Sequence, residues 1–478
     1  MKKISSVIAT ILFGMIFLIL FGFRTGFFDR KKENIAVADS KVSPKDVWMG
    51  IFQNSQKIGY THRMLMPSEN GYSLSESTYM KINTMGMVQE IFVETGGRLN
   101  KNFSLASFNF SLKSSLFQFI AYGSVKDKTL ILFINGKRTD IPLDEDIHLS
   151  SGLVEAAWGE GLKPGDSKTI EIFDPSTMSK RPVKITVMGD EKIKIMGDRI
   201  PATKIGIEFM GTKQLAWMDD NGDIAREEGL LGISLERTTK ENAMAGLSED
   251  PKDDFTKMVS ILPDREIRNP LNLEMIRLRL SGIENEMELN GGRQVYQNGV
   301  LTITKETPDF EKPDKDINLV PYLSPAPFIQ SDHPDIQKMA MEITKGNPSD
   351  FNKALQILKW MDKNIEKRPV VSIPDALDTL KNKVGDCNEH AVLLTALARA
   401  AGIPADIESG VVYLKGRFYY HAWNIVYLNN KWITIDAALN QFPADVTHIR
   451  FVKGGVDKQV DLVSIIGKMK IAVLEDAQ

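Results

Sequence analysis

The chain has 478 residues, with 59 Lys and Arg against 62 Asp and Glu for a formal charge of −3, a length that suits roughly two to four domains. The near-neutral balance and the lack of a long basic run argue against nucleic acid as a partner, while 42% apolar and 25% charged residues are ordinary for a folded globular protein. A single cysteine excludes an internal disulfide, and no Cys/His group has zinc-ligand spacing, so neither a metal nor a cofactor is expected.

In chain order, Lys2 and Lys3 precede Ile4 to Phe23, twenty residues without a charge, and Arg24 follows. About twenty such residues span a bilayer as a helix, so residues 1–24 are expected to anchor the chain in the inner (cytoplasmic) membrane. Ala36-Val37-Ala38 resembles a cleavage site but lies beyond Arg30-Lys31-Lys32, too far from the apolar run, which favours an uncleaved anchor. The short basic tail resembles a secretory n-region and puts the bulk on the periplasmic or extracytoplasmic side. Residues 25–45 read as a linker.

From Asp46 the pattern turns to strands. Residues 48–52 and 57–60 flank Asn54-Ser55, a hairpin signal. Residues 184–187, 192–195 and 204–207 alternate in polarity between turns at Gly189-Asp190 and Gly197-Asp198, as an antiparallel sheet with one solvated face does. A curved antiparallel β-domain is therefore expected over residues 46–245. Asp219-Asp220-Asn221-Gly222-Asp223 has the composition of a calcium loop, but its Gly is fourth rather than sixth and no Glu stands twelfth, so a hairpin turn is expected. Residues 246–315 read as a small β-module followed by a Pro-rich linker.

Residues 316–478 form the last expected domain. Two amphipathic helical stretches over 335–345 and 350–365 lead to Val384-Gly385-Asp386-Cys387-Asn388-Glu389-His390-Ala391. Asp386 and Glu389 stand as N-cap and N3 of a capping box, making Cys387 the first residue of an apolar helix that stops at Gly402 and Pro404. The positive end of a helix favours a negative charge, and cysteines so placed have pKa values of roughly 3.5 to 7.5. The Cys387 N–H is a natural donor to an oxyanion.

Downstream, Asn429-Asn430 suits a two-residue hairpin turn with positive φ. Leu428 then pairs with Lys431, and counting outward, Trp423 pairs with Asp436. Alternation places His421 on the same face as Trp423, a diagonal neighbour of Asp436 at roughly 7–8 Å. A thiolate nucleophile, an imidazole that moves the proton and a carboxylate that holds the ring make an acyl-transfer triad. The expected catalytic residues are Cys387, His421 and Asp436, with Trp423 and Trp432 walling the substrate site. His390 and His448 are rival bases, and Asp436 alternatively caps the turn at Ala437-Ala438.

These pieces together, Gly385-Asp386-Cys387-Asn388-Glu389-His390-Ala391, Arg399-Ala400-Ala401-Gly402-Ile403-Pro404-Ala405, His421-Ala422-Trp423, Trp432 and Asp436, resemble the transglutaminase-like superfamily over roughly residues 320–455. The resemblance implies a papain-like core, with the Cys on a helix and the His and Asp on an antiparallel sheet, and a thioester intermediate. The family often has an acidic residue where this chain has Asn424. The expected class is thus α+β, combining an N-terminal transmembrane helix, antiparallel β-domains and the papain-like core. The expected function is a membrane-anchored extracytoplasmic cysteine enzyme acting on a peptide or protein substrate, as a protease, amidase or transglutaminase. The alternative is a non-catalytic envelope scaffold that binds peptide in the same groove or contacts an envelope protein partner.

Overall fold

The computed structural model describes residues 44–477 apart from 135, 159–160, 210, 284–286 and 307–317. The expected α+β class is corrected by it. Strand makes up 50% of the chain and helix 20%, so β-structure dominates. Among the described residues no helix is long and apolar enough to cross a membrane. The membrane helix expected over 1–24, and nearly all of the linker, lie outside the described residues. The excess of strand has a physical source: alternating polarity continues through most of the first half, and each new strand pairs with its predecessor.

The described chain divides into two compact units, one of residues 44–83 and 88–253, the other of 84–87 and 254–477. The first is built on a 15-stranded sheet that begins in its own middle. The strand Lys45–Gln53 pairs with Gln56–Ser68 on one side and with Ile233–Thr238 on the other, both antiparallel. Successive hairpins run out to Lys137–Pro142 at one edge, and the chain resumes at the opposite edge with His148–Leu149. The positive φ values of Asn54 and Ser55 make the first turn. At the acidic run, Asp219 accepts from the N–H groups of Asn221 and Asp223 and from Arg237. Lys45 lies 3.0 Å from Asp223. Those carboxylates close a hairpin and are already satisfied by backbone and cations.

In the second unit the helix Cys387–Ala400 is buried from Cys387 to Arg399. Its apolar residues are joined there by the buried polar groups of Asn388, Glu389, His390 and Thr395. The helices Pro334–Thr344, Asp350–Asn364 and Ala376–Asn382 surround it. A four-stranded antiparallel sheet in the order Lys431–Ile435, Arg417–Leu428, Ala405–Leu414, Ile449–Lys453 also packs against it. Ala422, Val426, Ile433 and Ile435 share the helix's buried cluster. Each fully buried Leu or Ile there contributes roughly 1.5–3 kcal/mol. A second four-stranded sheet joins Met275–Ser281, Gln294–Gln297 and Val300–Thr304 to the C-terminal strand Lys470–Ala477.

This small sheet is fastened to the first by Arg450. Its guanidinium donates to Glu408, at 2.9 Å, and to the carbonyls of Glu288, Asn290 and Gly291. Gln294 adds bonds to the backbone of Arg450 in both directions.

Candidate active site

Cys387 is the first residue of its helix because the sequence before it caps so firmly. Asp386 accepts from the Asn388 N–H at 3.3 Å, and Glu389 accepts from the Asp386 N–H at 3.0 Å, completing the capping box. Ser372 donates to the other oxygen of Glu389, and the Val370 N–H reaches Asp386 at 3.4 Å. Only glycine fits at 385, where a Cβ would stand 2.2 Å from that of Glu389. Burial, then the charge of Glu389, pushes the Asp386 carboxyl well above the usual carboxylate range.

His421 and Asp436 come together through the hairpin register. Asn429 and Asn430 both have positive φ, and the ladder runs from Leu428↔Lys431 to Asn424↔Ile435. His421 Nε2 lies 2.7 Å from Asp436 Oδ2. The other carboxylate oxygen accepts from the N–H groups of Ala438 and Leu439 at 2.8 and 2.9 Å. Asp436 therefore both orients the ring and caps the turn, one oxygen for each task.

A third group shares that carboxylate. His448 Nε2 is 3.0 Å from Asp436 Oδ2, and its Nδ1 lies 3.1 Å from the Asp445 carbonyl and 3.3 Å from the Asp445 carboxylate. Burial opposes charge on His448, but Asp445 and the bond to Asp436 outweigh it and carry its pKa up to about 9. Burial would likewise raise Asp436 and Asp445, yet their histidine partners hold both well below the carboxylate range. Asp445 is fixed by Thr447, whose N–H and hydroxyl both donate to it. Arg293 donates to the carbonyls of Ala444 and His448 and pairs with Glu306.

Neither Asp445 nor the shared use of Asp436 was legible in the sequence. The one local signal is the spacing Asp445-Val446-Thr447, in which an Asp accepts from the residue two positions on.

His390 follows Cys387 by three residues. Its Nδ1 lies 2.6 Å from the Asp386 carbonyl, while its Nε2 is buried without a partner. Burial takes its pKa down to about 4, against the bond to the Asp386 carbonyl, which favours the charged form. The helix packs against the strand that carries His421, and Asn424 of that strand bonds to the Ala391 carbonyl in the helix. Cys387, His421 and Asp436 are all fully buried. His421 Nδ1 holds no hydrogen bond, to the thiol or to any other group. Such bonds commonly tighten only when substrate is bound.

Trp423 is buried, its indole donating to Glu408 at 3.0 Å. Its ring stacks with His421 at 6.0 Å and meets His448 edge-on at 5.1 Å, so it supports both imidazoles. Trp432 is half-buried against Tyr322 and Tyr427. Asp436 lies four positions further along the chain, about 13 Å away at 3.3 Å per residue. Asn424 explains its own departure from an acidic residue: its amide donates to the Ala391 carbonyl and the Thr395 hydroxyl on the Cys387 helix.

The ligating atoms of His421, Asp436 and His448 lie within 4.8 Å of one another, close enough for a metal. Both imidazoles, however, already direct a ring nitrogen at the same oxygen. A metal would have to displace both hydrogen bonds, so the set reads as a hydrogen-bonded relay.

Residues 337–437 match the family model of the Transglutaminase-like superfamily, so the chain contains a transglutaminase-like domain. No curated protein gives a significant match. Among solved structures, a candidate cysteine protease from Cytophaga hutchinsonii is 20% identical, covering 41% of this chain and 83% of its own, with a TM-score of 0.28. A β-barrel-like protein of a domain family of unknown function from Brucella abortus is 11% identical, covering 41% and 98%, with a TM-score of 0.33. The periplasmic domain of TgpA from Pseudomonas aeruginosa is 11% identical, covering 58% and 72%, with a TM-score of 0.22.

Proposed function

With a transglutaminase-like domain over residues 337–437 as premise, we propose that this protein is a cysteine enzyme that cleaves or transfers amides of a peptide or protein through a thioester. Cys387 Sγ attacks the carbonyl carbon while His421 Nδ1 takes the thiol proton. The C–N bond then breaks and the same proton passes to the leaving amine. In the second half a water gives its proton to Nδ1 and its oxygen to the acyl carbon. The C–S bond breaks, and the thiolate takes the proton back. An amine in place of water turns hydrolysis into transamidation, and hydrolysis is the reading carried forward. In the same proposal the protein works outside the cytoplasm.

The observation that carries this reading is the 2.7 Å bond from His421 Nε2 to Asp436, combined with a buried Nδ1 that has no partner. Held in that tautomer, the ring presents a lone pair with nothing else to accept. The complete burial of Cys387 favours a second reading, a peptide-binding scaffold without turnover.

Incubating the full-length chain with p-nitrophenyl acetate and mapping the adduct separates the two. An acetyl group on Cys387, formed with a burst of nitrophenolate and slowed about 10²–10⁴-fold in His421→Ala, is the expected result for general-base loss. Release of new amino termini from casein, against incorporation of a fluorescent primary amine, then distinguishes hydrolysis from transfer. A thiol acylated only in denaturant would leave the scaffold.

A further inference from the structure

The β-rich first unit carries a buried carboxyl to which no described residue donates. Glu227 stands on the strand Ile224–Glu228, opposite Ala216 of Thr212–Asp219 and opposite Leu235 of Ile233–Thr238. Leu235 pairs in turn with Ile51, and residues paired across a ladder share one face of the sheet. Alternation along Lys45–Gln53 puts Val47 on that face as well. Arg63 lies across from Val47, and Glu76 across from Arg63. All of these residues are buried.

The other charged groups of this face are already engaged. Lys45 lies 3.0 Å from Asp223, Arg237 bonds Asp219, and Arg63 stands directly across the ladder from Glu76. Glu227 is only 1% exposed and has no hydrogen bond at either oxygen. Gln214, two residues before the partner Ala216, is its diagonal neighbour on the same buried face, and the Gln214 amide oxygen has no partner either. Diagonal neighbours are about 7–8 Å apart, within reach of two long side chains. Ala216 adds only a methyl group between them. A buried polar group left unmet is costly whether or not it is ionised, and here the chain supplies no donor.

We propose that the buried face of this β-domain binds a primary ammonium group, held between the carboxylate of Glu227 and the amide oxygen of Gln214. The unmet atoms are three oxygens, and an ammonium offers three donors and no acceptor. A hydroxyl or an amide would bring an oxygen of its own to a place that already has too many. Calcium takes about 6–8 oxygens, more than these two side chains supply. Burial, then the charge of Glu76, pushes the Glu227 carboxyl well above the usual carboxylate range, with Arg63 opposing them. A cation against both oxygens reverses that balance and restores the carboxylate. Such a site needs no turnover at Cys387 and belongs to the β-domain alone.

The test is thermal unfolding of the full-length chain in methylammonium chloride or n-butylammonium chloride, beside equal concentrations of sodium chloride and of n-butanol. A ligand that binds only the folded chain raises its Tm. At least one amine salt is expected to raise it by about 2–4 °C once the amine exceeds its Kd several-fold. Glu227→Gln keeps the size of the side chain and supplies an N–H of its own to Gln214. That variant should unfold no lower than the parent and should lose the response to amine. Glu227→Leu, which removes the unmet oxygens altogether, should lose it too. Cys387→Ala should respond as the parent does.

An equal rise in n-butanol would mean that this face takes an apolar chain and not an ammonium. A rise that survives in Glu227→Gln, or one that disappears in Cys387→Ala, would put the amine elsewhere. No rise with either salt would leave water as the partner of Glu227. Each of these three results overturns the proposal.

Discussion

The two sides of the site are equally buried, yet only one of them keeps its charges. On the helix side Asp386 is driven toward its protonated form and His390 toward its neutral one. On the sheet side Asp436 and Asp445 stay ionised and His448 stays a cation. Burial penalises charge equally in both places, so the difference comes from the neighbours. Asp386 sits beside another carboxyl, and His390 has a carbonyl at one nitrogen and nothing at the other. In the sheet each oxygen of Asp436 meets ring or backbone N–H groups, and His448 meets a carboxylate on each side. The proposed nucleophile thus stands where charge is suppressed and the proposed base where it is kept.

The strongest way to break this contrast is to discharge the sheet side. Asp436→Asn removes the anion that both imidazoles address and offers an amide nitrogen to two donors. At least one ring must turn or lose a proton. The expected effect is a fall of about 10⁴-fold in the rate of Cys387 acylation, the scale seen when the orienting carboxylate of a triad is neutralised. A fall of less than tenfold would mean that Asp436 serves the turn at Ala438 and Leu439 more than it serves His421.

Stability against pH sharpens the same contrast. The folded value of His390 lies near 4, below the unfolded 6.5. Its contribution is full above pH 6.5 and is lost as the pH falls from there through 4. His448 lies near 9 when folded, above the same unfolded value. Its contribution is full below pH 6.5 and is lost as the pH rises through 9. Each loss is on the order of 3 kcal/mol. Chemical denaturation at a series of pH values should therefore find a maximum near neutrality. His390→Asn should flatten the acid limb and His448→Gln the alkaline one. A variant that flattened the opposite limb would reverse the assignment of charge to the two sides.

How much of this the sequence disclosed depends on how local the cause is. The capping box of Asp386 and Glu389 needs four consecutive residues and can be read directly. So can the approach of His421 to Asp436, because a tight turn and a period of two propagate the register from Asn429-Asn430 without reference to the rest of the fold. His448 was legible only as one more histidine. What brings it to Asp436 is a loop held by Arg293, 155 residues earlier in the chain, and no periodicity carries that information. The buried place of Trp423 rests on Glu408, its register partner across the preceding hairpin, and on Arg450, which pairs with that carboxylate. The preponderance of strand was understated for a different reason: alternation shows that strands exist, but not that fifteen of them join one sheet.

The join between the two sides supplies the smallest expected effect and the cleanest measurement. Asn424 extends from the strand of His421 and donates to the Ala391 carbonyl at 2.9 Å and to the Thr395 hydroxyl at 2.8 Å. Thr395 itself donates to the Ala391 carbonyl, so its hydrogen is already committed. Both partners of Asn424 are thus acceptors, and only a donor fits between them. Asn424→Asp keeps size and shape but replaces the donor with an acceptor, leaving a buried carboxyl against a carbonyl oxygen. An unmet buried polar group costs about 1–3 kcal/mol, and an acid there recovers part of that only by protonation. Asn424→Asp should therefore unfold at lower denaturant by about 2 kcal/mol at pH 7 and by less at pH 4. The pH profile of Cys387 alkylation should keep its parental shape, because neither imidazole is touched. A changed profile would mean that the helix and the sheet are held in register by Asn424 itself, and that the separate charging of the two sides depends on this one amide.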